Sequence, residues 1–347
     1  MSGNHYSPHG NNDKEKGILI SVIIPVYNSS STFTQCLDGL FSSDYDNYEV
    51  LVVDDQSSDS STEIARNYPC KIIQMETNSG AATARNRGVT EAYGDILLFI
   101  DADIVVKPDT LTKLHKRFAN SNEAAIVGLL TKETKHNNFF SQFENLYTHY
   151  VFCRKERSVA FYTSIAAIKK KVFEKVGGFD SNYAGATIED HEFGVRMGKL
   201  GIQPLVAHDI EVFHLKFFSF KSLLNKNFKK SNGFIKMFLR SKKKRLLEKQ
   251  VHRKELIRNM DFLISIFLTL SLLPLAFFSF FAPAFLILLS AIYFLITILN
   301  LKYLSFVRRE KGLLFFIKSI LFLIPNLLIY GLGLIYGTIT FLLGVEY

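Results

Sequence analysis

The sequence predicts an α/β protein built on a mostly parallel sheet, followed by a basic amphipathic neck and three transmembrane helices. Three observations predict it. Apolar strand-like runs alternate with helical spacing through the first hundred residues; one run, Ile96–Ile100, ends in two carboxylates, Asp101 and Asp103; and long uncharged stretches follow residue 261. A short, wholly apolar run rich in β-branched and aromatic side chains reads as a strand buried on both faces. Asp101 and Asp103 then stand at the carboxyl edge of the sheet, where open α/β folds bind ligands. Spaced i, i+2 in extended chain, they point the same way and repel unless a cation joins them. Hard oxygen ligands of this kind suit Mg²⁺ or Mn²⁺, ions that bridge to substrate phosphates. Two solvated Asp residues in a surface turn would give the same bare pattern, so the surrounding elements must decide.

The elements follow in order. Residues 18–25 read as a first buried strand, closed by turn chemistry at Pro25-Val26-Tyr27-Asn28. Residues 32–41 carry helical spacing through Phe33, Cys36, Leu37 and Leu40, with Ser and Thr before them as cap candidates. Residues 48–53 are a second strand, ending in Asp54-Asp55-Gln56-Ser57-Ser58-Asp59; 60–67 read as a helix and 71–75 as a third strand. Asn78-Ser79-Gly80 opens a helix bearing Arg85, Asn86 and Arg87. This alternation implies βαβ units. Residues 104–215 are less regular: a helix over 109–118, a strand over 124–130, a mixed strand and Lys-rich helix over 164–176, a Gly177-Gly178-Phe179-Asp180 turn, a helix over 188–200 and a last strand over 206–213. Glu189, Asp190 and Glu192 fall in the first turn of the 188–200 helix, where the dipole favours negative charge.

Charge is unevenly divided. Residues 216–258 carry +13 of the chain's net +9, the tail from Met260 carries +2, and residues 1–215 carry −6. The basic balance therefore belongs to the neck and argues against a nucleic-acid-binding catalytic domain. Cys36, Cys70 and Cys153 are too scattered for a disulfide framework or a metal knot, which suits a reducing compartment. Residues 1–17 are polar, lack the apolar core of a secretory signal, and read as a disordered arm.

Within the neck, residues 216–260, Phe220, Leu223, Leu224 and Phe228, then Phe234, Ile235, Phe238 and Leu239, recur at helical spacing with Lys and Arg between them. Such a helix lies on an anionic membrane surface. Uncharged runs at about 262–281, 283–300 and 312–343 are each long enough to cross a hydrocarbon core of about 30 Å. The Lys/Arg bias puts the neck and a loop at 302–311 on the cytoplasmic face, with the Ala282-Pro283 turn and the chain end beyond the third span on the far side.

Ser21-Val22-Ile23-Ile24-Pro25-Val26-Tyr27-Asn28, Val52-Val53-Asp54-Asp55, Gly80-x-x-x-Ala84-Arg85-Asn86, Asp101-Ala102-Asp103, Gly177-Gly178-Phe179-Asp180 and Glu189-Asp190 occur in that order. Each is weak alone; together, over residues 18–215, they resemble inverting family 2 glycosyltransferases of the GT-A (Rossmann-like) fold. The resemblance implies a UDP- or GDP-sugar donor. Asp55, with Asp54 beside it, would accept a hydrogen bond from the base; Pro25, Tyr27 and Asn28 would line the nucleoside pocket; Arg85 would stand near the nucleotide. Asp103 would bind Mn²⁺ or Mg²⁺, and Asp101 would orient the ribose or sugar and help hold the ion. Asp190 would be the general base, supported on the acceptor side by Glu189. His214, better placed than His208, would be a further metal ligand or diphosphate contact. Processive synthases of the superfamily carry Gln-x-x-Arg-Trp, and this chain has no Trp. That departure points to transfer of one or a few sugars to a lipid-linked or membrane-proximal glycan acceptor, or to a polyprenyl phosphate. A nucleotidyltransferase would show a Gly-rich phosphate loop after the first strand, and a dinucleotide-binding dehydrogenase Gly-x-Gly-x-x-Gly; neither is present. The alternative is a catalytically degenerate domain serving as a membrane scaffold.

Overall fold

The computed structural model describes residues 17–183, 188–243, 260–280, 282, 284–345 and 347. The expected N-terminal arm, Gly17 apart, lies outside them, as do residues 244–259 of the neck and Pro283.

Strands β1 (Ile20–Val26), β2 (Tyr48–Asp54), β3 (Lys71–Gln74) and β4 (Ile96–Ile100) pair in parallel in the order β3-β2-β1-β4. Every residue of β4 is buried because both faces of the sheet are covered. Ile20, Val22, Ile24, Leu98 and Ile100 meet Phe33, Leu37 and Leu40 of helix α1 (Ser30–Phe41) and, beyond it, Leu111 and Leu114 of the helix at Thr110–Asn120. Ile23, Leu51, Leu97 and Phe99 face the opposite side, against Ala82 and Val89 of the helix at Ala81–Thr90. The short helix at Ser61–Ala65 lies between these two, so the helices number α1 (Ser30–Phe41), α2 (Ser61–Ala65), α3 (Ala81–Thr90) and α4 (Thr110–Asn120). Each fully buried Leu, Ile or Phe contributes about 1.5–3 kcal/mol of transfer free energy, and alternation along the strands divides that contribution between two cores.

Beyond β4 the sheet turns mixed. Its other half runs β7 (Ile165–Lys169), β6 (Ala125–Leu130), β8 (Leu205–His214) and β5 (Ile104–Val105). β7 is antiparallel to both β4 and β6, β6 and β8 are parallel, and β5 is antiparallel to β8. The parallel arrangement expected from the sequence thus describes the first four strands. Apolar patterning marks a buried strand but not its direction, which is why β7 was not legible as a reversal. The strand order changes direction between β1 and β4, and Pro25 lies past their last partner pair, Ile23 and Phe99. The crevice for a ligand opens there.

Helix α5 (Phe139–Cys153) follows β6, α6 (Lys170–Val176) follows β7, and α7 (Glu189–Lys199) precedes β8. α5 is the one substantial element missed in the sequence. Its Phe143, Leu146, Tyr147 and Tyr150 do recur at helical spacing, yet they face the apolar tail rather than the sheet.

The tail comprises α8 (Phe220–Lys243), α9 (Met260–Phe278), α10 (Ala284–Leu299) and α11 (Leu301–Leu342). Among the described residues two helices, α9 and α11, are long and apolar enough to cross a membrane; α10, at 16 residues, is a shorter apolar helix. At 1.5 Å per residue it extends about 24 Å, against a core of about 30 Å, so two of the three expected spans reach full length among the described residues. The expected loop at 302–311 is helical: α11 begins at Leu301 and kinks at Gly312, whose φ of 81° favours glycine. This first segment docks on the sheet domain, with Tyr303 and Phe306 stacked on Phe143, Tyr147 and Tyr150 of α5 and the Tyr303 hydroxyl donating to the Phe143 carbonyl at 3.1 Å. Tyr347, expected on the far side of a membrane, instead stacks on Tyr183 of the sheet domain at 5.5 Å.

α8 does not lie free on a surface. Asn227 Nδ2 donates to Asn326 Oδ1 at 2.7 Å, and Gly333 and Gly337 of α11 admit the α8 backbone. A Cβ on Gly333 would stand 2.6 Å from the Phe228 carbonyl oxygen. Gly333→Leu is therefore expected to destabilise the α8–α11 pair by about 1–3 kcal/mol through overpacking, read as a lower melting temperature of the full chain in detergent, while Leu342→Ala, at a position 77% exposed on the same helix, is expected to leave it unchanged.

Candidate active site

The carboxyl ends of β1, β2, β3 and β4 are stitched together by side chains that accept from backbone. Asn28 and Gln56 hold positive φ, 48° and 64°, so the chain turns sharply after β1 and β2. Asn28 Oδ1 accepts from the Ser58 amide at 2.8 Å, and the Asn28 amide donates to Ser57 Oγ. Asp59 accepts from the Ser30 and Ser61 amides and the Ser61 hydroxyl. Burial pushes its carboxyl up, but those hydrogen bonds prevail and hold it at about 2.

Asp54 and Asp55, placed by sequence against the base, are both buried and engaged within the fold. Asp54 accepts from the Ser57 amide and the Thr62 hydroxyl. Asp55 accepts from the Ser79 and Gly80 amides, both at 2.8 Å, and so closes the entrance to α3. Pro25 is half-buried at the strand end, whereas Tyr27 is 52% exposed over the crevice. A carboxylate has about four lone-pair sites, so Asp55 keeps capacity for a base while its visible work is to shape the loop.

The Arg85 guanidinium, expected near the nucleotide, is buried between two carboxylates, Asp101 Oδ1 at 2.8 Å and Glu189 Oε1 at 2.9 Å. Its side chain is 3% exposed and that of Glu189 is 5%. The next residue, Asn86, grips Phe179 by both backbone groups, at 2.8 and 2.9 Å. Arg196 of α7 donates to the Val176 and Gly178 carbonyls. Gly177 and Gly178, at φ 90° and 67°, make the turn these contacts require. One turn of α3 thus positions the segment leading to α7.

Asp101 also accepts from Ser164 Oγ at 2.8 Å and remains 30% exposed. Asp103 faces elsewhere: its Oδ2 is 3.6 Å from His214 Nε2 and 3.9 Å from Lys216 Nζ. Pairing of Ile104 with His214 across β5 and β8 sets this neighbour. Burial raises the Asp103 carboxyl, but hydrogen bonding to His214 and the charges of His214 and Lys216 outweigh it, leaving it below its ordinary value. His208 lies apart, at the Lys155 carbonyl. No group of three metal-ligating side chains occurs among the described residues. A carboxylate and an imidazole facing one another still fit Mn²⁺ or Mg²⁺, ions that keep several coordination positions for water and diphosphate oxygens.

Asp190 is half-buried at the start of α7, with its Oδ1 accepting from the His191 amide at 2.7 Å. Burial, and then the neighbouring Glu189 charge, push its carboxyl up to about 7, against the pull of Lys230 and Arg85. A carboxyl poised there can exchange a proton near neutrality. Lys230 comes from α8, and Phe234 of the same helix stacks edge-on against His191 at 4.6 Å. Nothing local in the basic neck marked Lys230 as part of this site.

Residues 21–177 match the sequence model of Glycosyl transferase family 2. A glycosyltransferase of Streptococcus pneumoniae, GlyG, is 30% identical over 115 residues, covering 32% of this chain and 38% of that protein. The dolichol-phosphate mannosyltransferase of Pyrococcus furiosus is 34% identical over 131 residues, covering 35% and 36%. The matched stretches thus span well under two thirds of these relatives' own length. Among solved structures, the mannosyltransferase PcManGT of Pyrobaculum calidifontis, in complex with GDP-Man and Mn²⁺, superposes with a TM-score of 0.58 over 91% of this chain and 87% of that one, at 16% identity. The likeness establishes a shared GT-A fold.

Removing the guanidinium would take away the ion pair that Arg85 makes with buried Glu189 and with Asp101. Arg85→Ala is expected to lower stability by about 3–5 kcal/mol, measured by thermal or denaturant unfolding of the full chain, with Arg85→Lys between it and the unsubstituted protein because a single ammonium cannot fork to both carboxylates.

Proposed function

With residues 21–177 forming a family 2 glycosyltransferase domain, we propose that this chain is a membrane-bound, inverting transferase. It moves a sugar from a UDP- or GDP-sugar to a lipid-linked saccharide at the bilayer face, in cell-surface glycan synthesis. The observation that carries the reading is the Arg85 bridge, which joins the Asp101–Asp103 segment to the Glu189–Asp190 helix start. That bridge supports a reading in which donor site and proton acceptor share one edge of the sheet.

In the proposed reaction the acceptor hydroxyl attacks the anomeric carbon from the face opposite the diphosphate. Asp190 takes the hydroxyl proton, the new C–O bond forms, the anomeric C–O bond to phosphate breaks, and the nucleoside diphosphate leaves with configuration inverted. Arg85 fixes Asp101 and pairs with Glu189 beside Asp190. Tyr27, exposed at the end of β1, is the surface offered to the base. Asp103 and His214 would hold Mn²⁺ or Mg²⁺, which when bound supplies Lewis-acid neutralisation of the diphosphate. A phosphate acceptor is already ionised and needs no base, so a base at Asp190 favours a sugar hydroxyl over a polyprenyl phosphate. The apolar helices support membrane attachment, and the +13 neck supports a cytoplasmic transferase domain.

Detergent-solubilised protein, offered a panel of sugar nucleotides with Mn²⁺ or Mg²⁺ and lipid-linked saccharide acceptors, is expected to release nucleoside diphosphate and to stop on chelation. Donor binding without release under every combination would favour the scaffold reading. The carboxylate form of Asp190 is the active one, so kcat/KM should rise with pH and level off above about 7, falling about tenfold per unit on the acid side. Asp190→Asn should lose about 10²–10⁴-fold in kcat and abolish that acid limb; full turnover in the variant would remove Asp190 as the base.

A further inference from the structure

We propose that α11 does not cross the bilayer: its apolar half lies flat in the leaflet facing the transferase domain, and Tyr347 stays on that domain's side. The inference rests on the membrane attachment proposed above. It follows from where α11 touches the rest of the chain along its length. Just past the Gly312 kink, Phe315 and Phe322 pack on Phe139 of α5 at 4.8 and 5.7 Å. One turn on, Asn326 accepts from Asn227, and the Tyr330 hydroxyl donates to Asn227 Oδ1 at 3.1 Å. Gly333 and Gly337 then meet Phe228, Asn232 and Ile235. Finally the Tyr347 carbonyl accepts from Lys236 Nζ at 3.1 Å, and its ring lies 3.8 Å from the Arg240 guanidinium, which also covers Tyr183 at 4.6 Å.

A helix over residues 313–342 extends about 44 Å. Crossing a 30 Å hydrocarbon core would carry its far end away from the face it left. Here both ends rest on the transferase domain, and α8 runs beside the helix in the same direction. α8 carries Lys229, Lys230, Lys236 and Arg240. Drawing that helix into hydrocarbon would cost heavily for each charge, whereas at the interface the exposed Lys221 and Lys229 face headgroups while Lys236 and Arg240 stay engaged within the protein.

The opposite face of α11 is apolar and open: Leu314, Leu321, Ile335, Ile339 and Leu342 are all exposed. This stripe is continuous with the α9–α10 hairpin, which packs on α11 through Ile266, Ile296, Leu323 and Leu327 and exposes Phe267, Phe277, Ile287 and Phe294 on its outside. One occupant fits both surfaces, the acyl chains of a bilayer, with the hairpin inserted and α11 lying along the near leaflet. Lys318, exposed on α11, then reaches headgroups.

The chain has no Trp, so single Trp substitutions report depth against a silent background. Leu321→Trp and Leu332→Trp, in full-length protein reconstituted with lipids brominated at shallow or central acyl positions, stand about 16 Å apart along the helix. The expected result is the same shallow quenching at both sites; central quenching at 332 with shallow quenching at 321 would overturn the inference. In sealed vesicles, tags placed before Ser21 and after Tyr347 should be cleaved by protease from the same side, and cleavage from opposite sides would overturn it independently. Protein that washes off vesicles altogether would overturn the membrane reading and this inference with it, a result distinct from either topological outcome.

Discussion

A single buried guanidinium organises this molecule. Arg85 sits on α3, in the parallel half of the sheet, yet its two partners come from the end of β4 and from α7, 104 residues later in sequence. Burying a cation and two anions costs solvation that only close, hydrogen-bonded geometry offsets. The triad is therefore better understood as a positional device than as a source of stability. It makes the location of Glu189 and Asp190 depend on the location of Asp101. It also bears on the charge balance around Asp190, because Glu189 helps raise the Asp190 carboxyl while Arg85 pulls the other way.

Around that centre, acidic residues that look like ligands turn out to be builders as well. Asp54, Asp55 and Asp59 each accept two or more hydrogen bonds from the loops that follow neighbouring strands. These bonds satisfy backbone amides that would otherwise be orphaned where β-strands give way to turns. An edge assembled this way is held by the protein's own hydrogen bonds, which suits the proposed donor site.

Much of this was legible in the sequence because the parallel strands are apolar on both faces and end in turn residues. The carboxylates at 54–55 and 101–103 could be set at strand ends for the same reason, whereas 189–190 were tied to them only by the family resemblance. What escaped was anything that depends on the partner rather than the pattern. β7 is as apolar as β4 but runs against it, and direction leaves no trace in hydrophobicity. The two carboxylates that Arg85 meets were not legible either, since a helical Arg does not announce where its fork will close. The α5 aromatics were overlooked because they serve a helix 160 residues away rather than the sheet. Residues 302–311, with their charges, resembled a loop between spans; Tyr303, Phe306 and Val307 show why the segment folds as a docking helix instead.

The last link runs from the apolar helices back to the acid. α8 is held on one face by α11, through Asn227, Ser231 and the glycines opposite them. On the other face it presents Lys230 to Asp190 and Phe234 to His191. Gly233, between them, is close enough to Ile188 that an added Cβ would stand 3.1 Å from it. A helix clamped this tightly cannot shift along α11 without moving the cation that tempers Asp190 and the contact that seats α7. The electrostatics of the proposed base are thus coupled through one rigid element to how the apolar helices pack.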